Sequence, residues 1–366
     1  MKKKASFIAI ALALVLACSA LTGCGSSNLD PGNYANVVAA VVGDDTIYMD
    51  QANFFLRYNQ WSLESYYWNY YQYMGMANMW EAPSSDNPDQ TMATGMKEQV
   101  MNELLDTRIV LAHAGEYNVS LTEEDLAKVR DTVELIKDFG PDFLKYANVT
   151  DEQMTEWLSQ NALAVKTIKT IKDAAEVSVS DADCEMFTVS YLQIPDANYS
   201  AQTSEDGTQF DTAQGEAEYI VKHVQDGTKS FADMAAEFHA ETTEKSFPIS
   251  DEAPTDNAAR IGRTLKTGEI VMEHVENAED DAENGWYVVY CESDHDEEAT
   301  AKERENKEAE LRDDYFEEIY AGWTEGIKVD VKSAYDDLLV SDGNPIFTTP
   351  TEAETEAPAE ESSSEG

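Results

Sequence analysis

The chain has 366 residues, with 72 aspartates and glutamates against 25 lysines and arginines and a formal net charge of −47 at pH 7. That imbalance repels polyanions, which excludes a nucleic-acid partner and adhesion to anionic lipid headgroups by charge. There is no C-x-x-C pair, no D-x-D-x-D-G loop, and His113, His223, His239, His274 and His295 stand apart without ligand spacing, so neither a metal nor another cofactor is expected.

The N-terminus carries Lys2, Lys3 and Lys4, then an apolar run over 7–16 that is short for a bilayer span, then Leu21-Thr22-Gly23-Cys24. This resembles a bacterial lipobox, in which the cysteine thiol is lipidated and becomes the new N-terminus. The alternative is a plain secretory signal with an incidental Cys24. Residues 1–23 are expected to be a lipoprotein signal peptide, and Gly, Ser, Asn and Pro make 24–36 a tether. Removing the signal takes three of the basic residues and none of the acidic ones.

The stretch 37–42, Gly43-Asp44 and Thr46-Ile47-Tyr48 predict a short hairpin, and Asp50 a helix cap. Residues 58–80 are dense in Tyr, Trp and Met. Tyr66, Tyr67, Trp68, Tyr70, Tyr71 and Tyr73 occupy nearly every angle of a helix, so one buried stripe cannot take them all. Apolar spacing predicts a helix over 96–114. Thr122-Glu-Glu-Asp125 opens another that reaches about 139, Thr150-Asp-Glu-Gln153 a third, and Ser180-Asp-Ala-Asp183 a fourth. The character then changes. Strands are expected at 187–194 and 285–291, helices at 216–225 and 231–239 on either side of Asp226-Gly227, and a turn at Leu265-Lys-Thr-Gly268-Glu269. A charged helix over 297–321, an extended piece at 327–331 and a last helix at 333–339 follow. From 348 onward the Thr, Pro, Glu and Ser content cannot build a core.

In this order the motifs resemble SurA- and PrsA-type extracytoplasmic chaperones. Val37-Val-Ala-Ala-Val-Val-Gly-Asp-Asp-Thr-Ile47 is similar to the family's opening hairpin, and Tyr117-Asn-Val-Ser-Leu-Thr-Glu-Glu-Asp125 to a characteristic helix start. Asn148-Val-Thr-Asp-Glu-Gln153 and Val177-Ser-Val-Ser-Asp-Ala-Asp183 are of the same kind. Val189-Ser-Tyr-Leu-Gln-Ile194, Asp226-Gly-Thr-Lys-Ser-Phe-Ala-Asp-Met-Ala235, Leu265 to Ile270 and Gly285-Trp-Tyr-Val-Val289 resemble the elements of a parvulin-type prolyl isomerase domain.

The resemblance implies an α+β fold: a helical SurA-N-like chaperone domain with an inserted parvulin-like α+β domain. Its implied parts are a helical domain over 37–184, an insertion over 185–296, C-terminal helices over 297–340 that complete the first domain, and an acidic disordered tail over 341–366. The two strand histidines of active parvulins fall on Tyr191 and Tyr287, and the glycine-rich element of the second strand is absent between Ala240 and Thr264. Three readings stay open: pocket-wall or core tyrosines in a degenerate site, an isomerase that retains hydrogen bonding through the hydroxyls, or a shifted register that brings His239 to the cleft. Antiparallel pairing of the first and last strands would bring Cys184 and Cys291 together as a disulfide; the alternative is two buried thiols. Tyr67, Trp68 and Tyr71 are the candidate client-binding residues.

The expected function is a membrane-anchored extracytoplasmic folding factor whose partners are unfolded or newly translocated polypeptides and, through the lipid, the membrane. The alternatives are an active peptidyl-prolyl isomerase and a solute-binding or adhesion lipoprotein. Against the last stands the lack of the strand-helix alternation of a two-lobed binding protein.

Overall fold

The computed structural model describes residues 30–74, 79–84, 87–197, 199–276, 281–340 and 346–347. The signal peptide, Cys24 and the tail from 348 lie outside the described residues. The fold is a mixture of helix and antiparallel sheet.

After a six-residue 3-10 segment at Pro31–Asn36 come β1 (Val38–Val42) and β2 (Asp45–Tyr48), paired through the two-residue loop Gly43-Asp44. Gly43 supplies the positive φ, 58°, that such a loop needs at its first position. Helix α1 (Met49–Met74) starts one residue before Asp50, which therefore sits in the first turn and accepts from the Gln51 amide instead of capping. Helix α2 (Met92–His113) is capped by Thr91. In α3 (Glu123–Lys137) Thr122 and Asp125 close a reciprocal capping box. The short α4 (Pro141–Ala147) opens with proline, whose missing N–H is no loss there, and closes on left-handed Asn148. Thr150 and Gln153 exchange hydrogen bonds at the start of α5 (Asp151–Asp173).

The start at Ser180 yields only one turn, α6 (Asp181–Cys184), because the β-favouring run that follows extends at once as β3 (Met186–Pro195). A two-stranded ribbon, β4 (Gln202–Thr203) and β5 (Gln209–Phe210), precedes α7 (Ala213–Gln225) and α8 (Phe231–Glu237). Then come β6 (Thr243–Pro248), α9 (Asn257–Gly262), β7 (Ile270–Val275), β8 (Gly285–Ser293) and α10 (Glu297–Thr324). The chain returns through β9 (Val329–Val331) to α11 (Ser333–Asp336), which is shorter than the 333–339 expected.

Contacts divide the chain into two units, Met1–Thr167 with Thr324–Gly366, and Ile168–Trp323, so the second interrupts the first in sequence. In the first unit β9 adds antiparallel to the free edge of β1, giving the order β2-β1-β9. Its helices bury a core of Phe54, Val133, Ile136, Phe143, Met154, Trp157 and Ile346. Trp61 stacks on Phe139 at 3.6 Å between ring centres and donates to the Phe139 carbonyl.

The second unit is built on a four-stranded antiparallel sheet in the order β6-β3-β8-β7. Side chains alternate across it. Leu192, Ile194, Val288 and Ile270 face α7 and α8, while Phe187, Val189, Val289 and Val275 face α9. On that side Gly262 is a requirement of space, since a Cβ there would stand 2.6 Å from Val189 Cγ1.

Candidate functional site

Strand pairing sets Tyr191 opposite Val289 and Gln193 opposite Tyr287, so the two tyrosines are diagonal neighbours on one face of the sheet. Their rings lie 6.2 Å apart at 22° on the α9 side. Tyr287 is buried and Tyr191 partly so. Asp256 caps α9 by accepting from the Ala258 and Ala259 amides, which fixes the helix start above the pair. The Asn257 side chain lies close to the Tyr287 phenol and donates to Glu283. Gln193 donates to the Ala282 carbonyl and pins the turn that carries Glu283.

Burial raises the Tyr287 phenol above its ordinary range. The nearby Asn257 amide opposes this, and the charges of Glu283 and Asp256 add to it. The hydroxyl therefore stays protonated at neutral pH, a hydrogen-bonding group and not a base. The cations on this side are engaged: Arg260 holds Glu273 at 2.6 Å and Lys245 holds Asp256 at 2.7 Å. This face sets two hydrogen-bonding phenols in the core under α9 and, among the described residues, lacks the imidazole pair of an acid-base cluster.

No histidine joins the cluster on this face among the described residues. His239 is exposed in a left-handed conformation just past α8, the helix on the opposite face, so the shifted-register reading is not supported. His223 packs on Tyr219, and His274 contacts Trp286 and Asp196, on that same opposite face. The disulfide expected between Cys184 and Cys291 is absent; both thiols are free and buried. Cys291 stands opposite Val189, five positions along from Cys184, and its Sγ points to the Leu265 carbonyl at 3.8 Å.

In the helical unit, α1, α2, α3 and α5 enclose a cavity of about 410 Å³ that the sequence did not reveal. Phe55, Tyr58, Leu104, Val129, Trp157 and Leu158 form its apolar wall. Its rim is polar: Gln51 accepts from Arg108, and Asp125, held well below the usual carboxylate range by Lys166 and Thr122, takes the Lys166 ammonium at 2.6 Å. Further along α1, Tyr66 and Tyr73 are 80% and 88% exposed, with Tyr67 and Tyr70 also exposed. The Tyr66 and Tyr67 rings meet edge to face at 4.8 Å. The Trp68 and Tyr71 side chains lie outside those described.

No family model and no curated protein matches the sequence. Among solved structures, similarity is found to one reported with PEB4 and Cj1289, SurA-like chaperones of Campylobacter jejuni. Identity is 12%, over 81% of this chain and 99% of that one, with a TM-score of 0.30. PrsA of Bacillus subtilis is 15% identical over 67% and 91%, TM-score 0.24. The peptidylprolyl isomerase PrsA of Bacillus anthracis is 16% identical over 62% and 95%, TM-score 0.25. At these scores the superpositions assign neither family nor activity.

Proposed function

We propose that the chain is a lipid-anchored extracytoplasmic folding factor that holds unfolded polypeptides, with a parvulin-like unit whose isomerase site is degenerate. The observation that carries this reading is the exposed run of tyrosines on α1, within the same unit as the aromatic-walled cavity. Soluble proteins seldom leave such large amphipathic rings in water without a use, and tyrosine offers apolar area with little rotamer entropy to lose. The acidic surface favours basic clients and keeps loaded complexes apart. Replacing Tyr67, Trp68 and Tyr71 by serine weakens binding of a fluorescently labelled unfolded polypeptide, read by anisotropy, and leaves the circular dichroism unchanged. Equal binding by the triple variant rejects the surface as the client site.

The second reading, an active prolyl isomerase, draws on the Tyr191–Tyr287 pair and the Asn257 side chain beside it. A prolyl bond turns over a barrier of ~18–20 kcal/mol, which leaves room for catalysis by pocket shape alone. The degenerate-site reading predicts no acceleration of isomerisation in a short unfolded peptide. Acceleration abolished by Tyr191→Phe with Tyr287→Phe favours the second reading. The lipid anchor is tested by metabolic labelling with palmitate, which Cys24→Ser abolishes; a labelled Cys24→Ser chain contradicts it.

A further inference from the structure

Arg57, Gln60 and Glu64 lie at i, i+3 and i+7 and so share one face of α1. All three are buried, Arg57 at 7% exposure and Glu64 at 3%. They are linked in a row: Arg57 Nη1 donates to Gln60 at 2.6 Å, and Gln60 donates to Glu64 at 2.8 Å. Trp80 Nε1 donates to the same Glu64 oxygen at 2.8 Å.

What this row holds is the main chain of the C-terminal segment. Arg57 donates to the carbonyls of Leu339 at 2.6 Å and Val340 at 2.5 Å. The second Glu64 oxygen accepts the amides of Ile346 at 2.7 Å and Phe347 at 2.9 Å. A cation reads carbonyls at one end and an anion reads N–H groups at the other, each as a charge-assisted hydrogen bond. Leu339 is 63% exposed although its carbonyl is gripped, so its side chain takes no part in the grip, whereas Val340 beside it is buried. Side chains are also buried at the other end. Ile346 fills a socket among Phe54, Ile136, Phe143 and Trp157, and Phe347 meets Trp61 edge to face at 5.6 Å.

Buried charges aimed at backbone atoms are satisfied by any chain that presents two carbonyls and two amides at the same separation, and an aliphatic-aromatic pair supplies the anchor. We propose that Arg57, Gln60 and Glu64 form a main-chain clamp for polypeptide, occupied in cis by the chain's own residues 339–340 and 346–347 and opened when a client bearing an aliphatic-aromatic pair displaces them. This rests on the folding-factor reading and names a regulated site within it. A tethered segment competes at an effective concentration on the order of mM, so the empty clamp is rare until client accumulates.

Hydrogen exchange on the unaltered mature chain tests this directly. The probe is a synthetic peptide with the sequence of residues 339–350. In excess it should speed exchange of the Ile346 and Phe347 amides at least about tenfold while that of Val133 in the helical core stays constant. In parallel, Ile346→Ser with Phe347→Ser should bind the labelled peptide at least about tenfold more tightly than the parent, and adding Glu64→Gln should remove the gain. Unchanged exchange at saturating peptide, or equal affinity of parent and double variant, overturns the clamp and leaves the segment as an ordinary part of the core. The milder Phe347→Ala serves if the double variant loses its circular dichroism. A chain that suppresses client aggregation while these amides keep their rates retains the folding-factor reading and loses the clamp. A chain that binds the peptide but leaves aggregation untouched does the reverse.

Discussion

Glu216 shows how one buried group sets a local balance. It sits in the first turn of α7, where Tyr199 donates to it at 2.6 Å. Burial raises its pKa more than the tyrosine bond lowers it. A carboxyl whose folded pKa lies above its unfolded value contributes fully below the unfolded value and loses that contribution as pH rises through the folded one. Glu216→Gln keeps an acceptor for Tyr199 and removes the charge. Its urea midpoint should exceed the parent's at neutral pH and match it at about pH 3; a lower midpoint at neutral pH contradicts this. Cys291 follows the same sign. Burial first, then Asp294 and Glu269, push its thiol up to about 11, so the stability tied to the protonated thiol is present below about pH 9 and lost between about 9 and 11. Neither Cys184 nor Cys291 should react with a disulfide reagent at pH 8 until denaturant is added to the mature chain lacking Cys24. Prompt reaction of either thiol in the folded chain is the contrary result.

At the scale of elements, what the sequence revealed was local chemistry. The starts at Thr122, Thr150 and Ser180 were legible because each capping residue meets its partner three residues on. β3 and β8 were legible as dense runs of β-branched and aromatic residues, and their pairing places Tyr191 and Tyr287 together. β6 was not, because an edge strand exposing Thr243, Glu244 and Lys245 shows no alternation. Helices α4 and α9, at seven and six residues, are too short to display a period. The close seating of α9 gives a sharp test. Gly262→Ala forces a methyl against Val189 and should cost about 1–3 kcal/mol in urea unfolding, with Val189→Ala recovering part of it. A neutral Gly262→Ala means that α9 shifts freely over the sheet.

At the scale of the whole chain, the sites that matter most were those least visible in advance. The cavity draws its walls from four helices, and the row Arg57–Gln60–Glu64 finds its partners more than 270 residues away. No local pattern announces either. The aromatic excess on α1 was visible as an excess, and the structure accounts for it with exposed Tyr66, Tyr67, Tyr70 and Tyr73. The account rests on that surface having unfolded polypeptide as its partner. Its most direct test is light scattering from a chemically unfolded, basic client diluted into buffer with and without the mature chain. Suppression of scattering near equimolar ratio, with no change in the client's prolyl isomerisation rate, is the predicted result. Aggregation at the same rate in both solutions, from chain shown to be folded, would contradict the account.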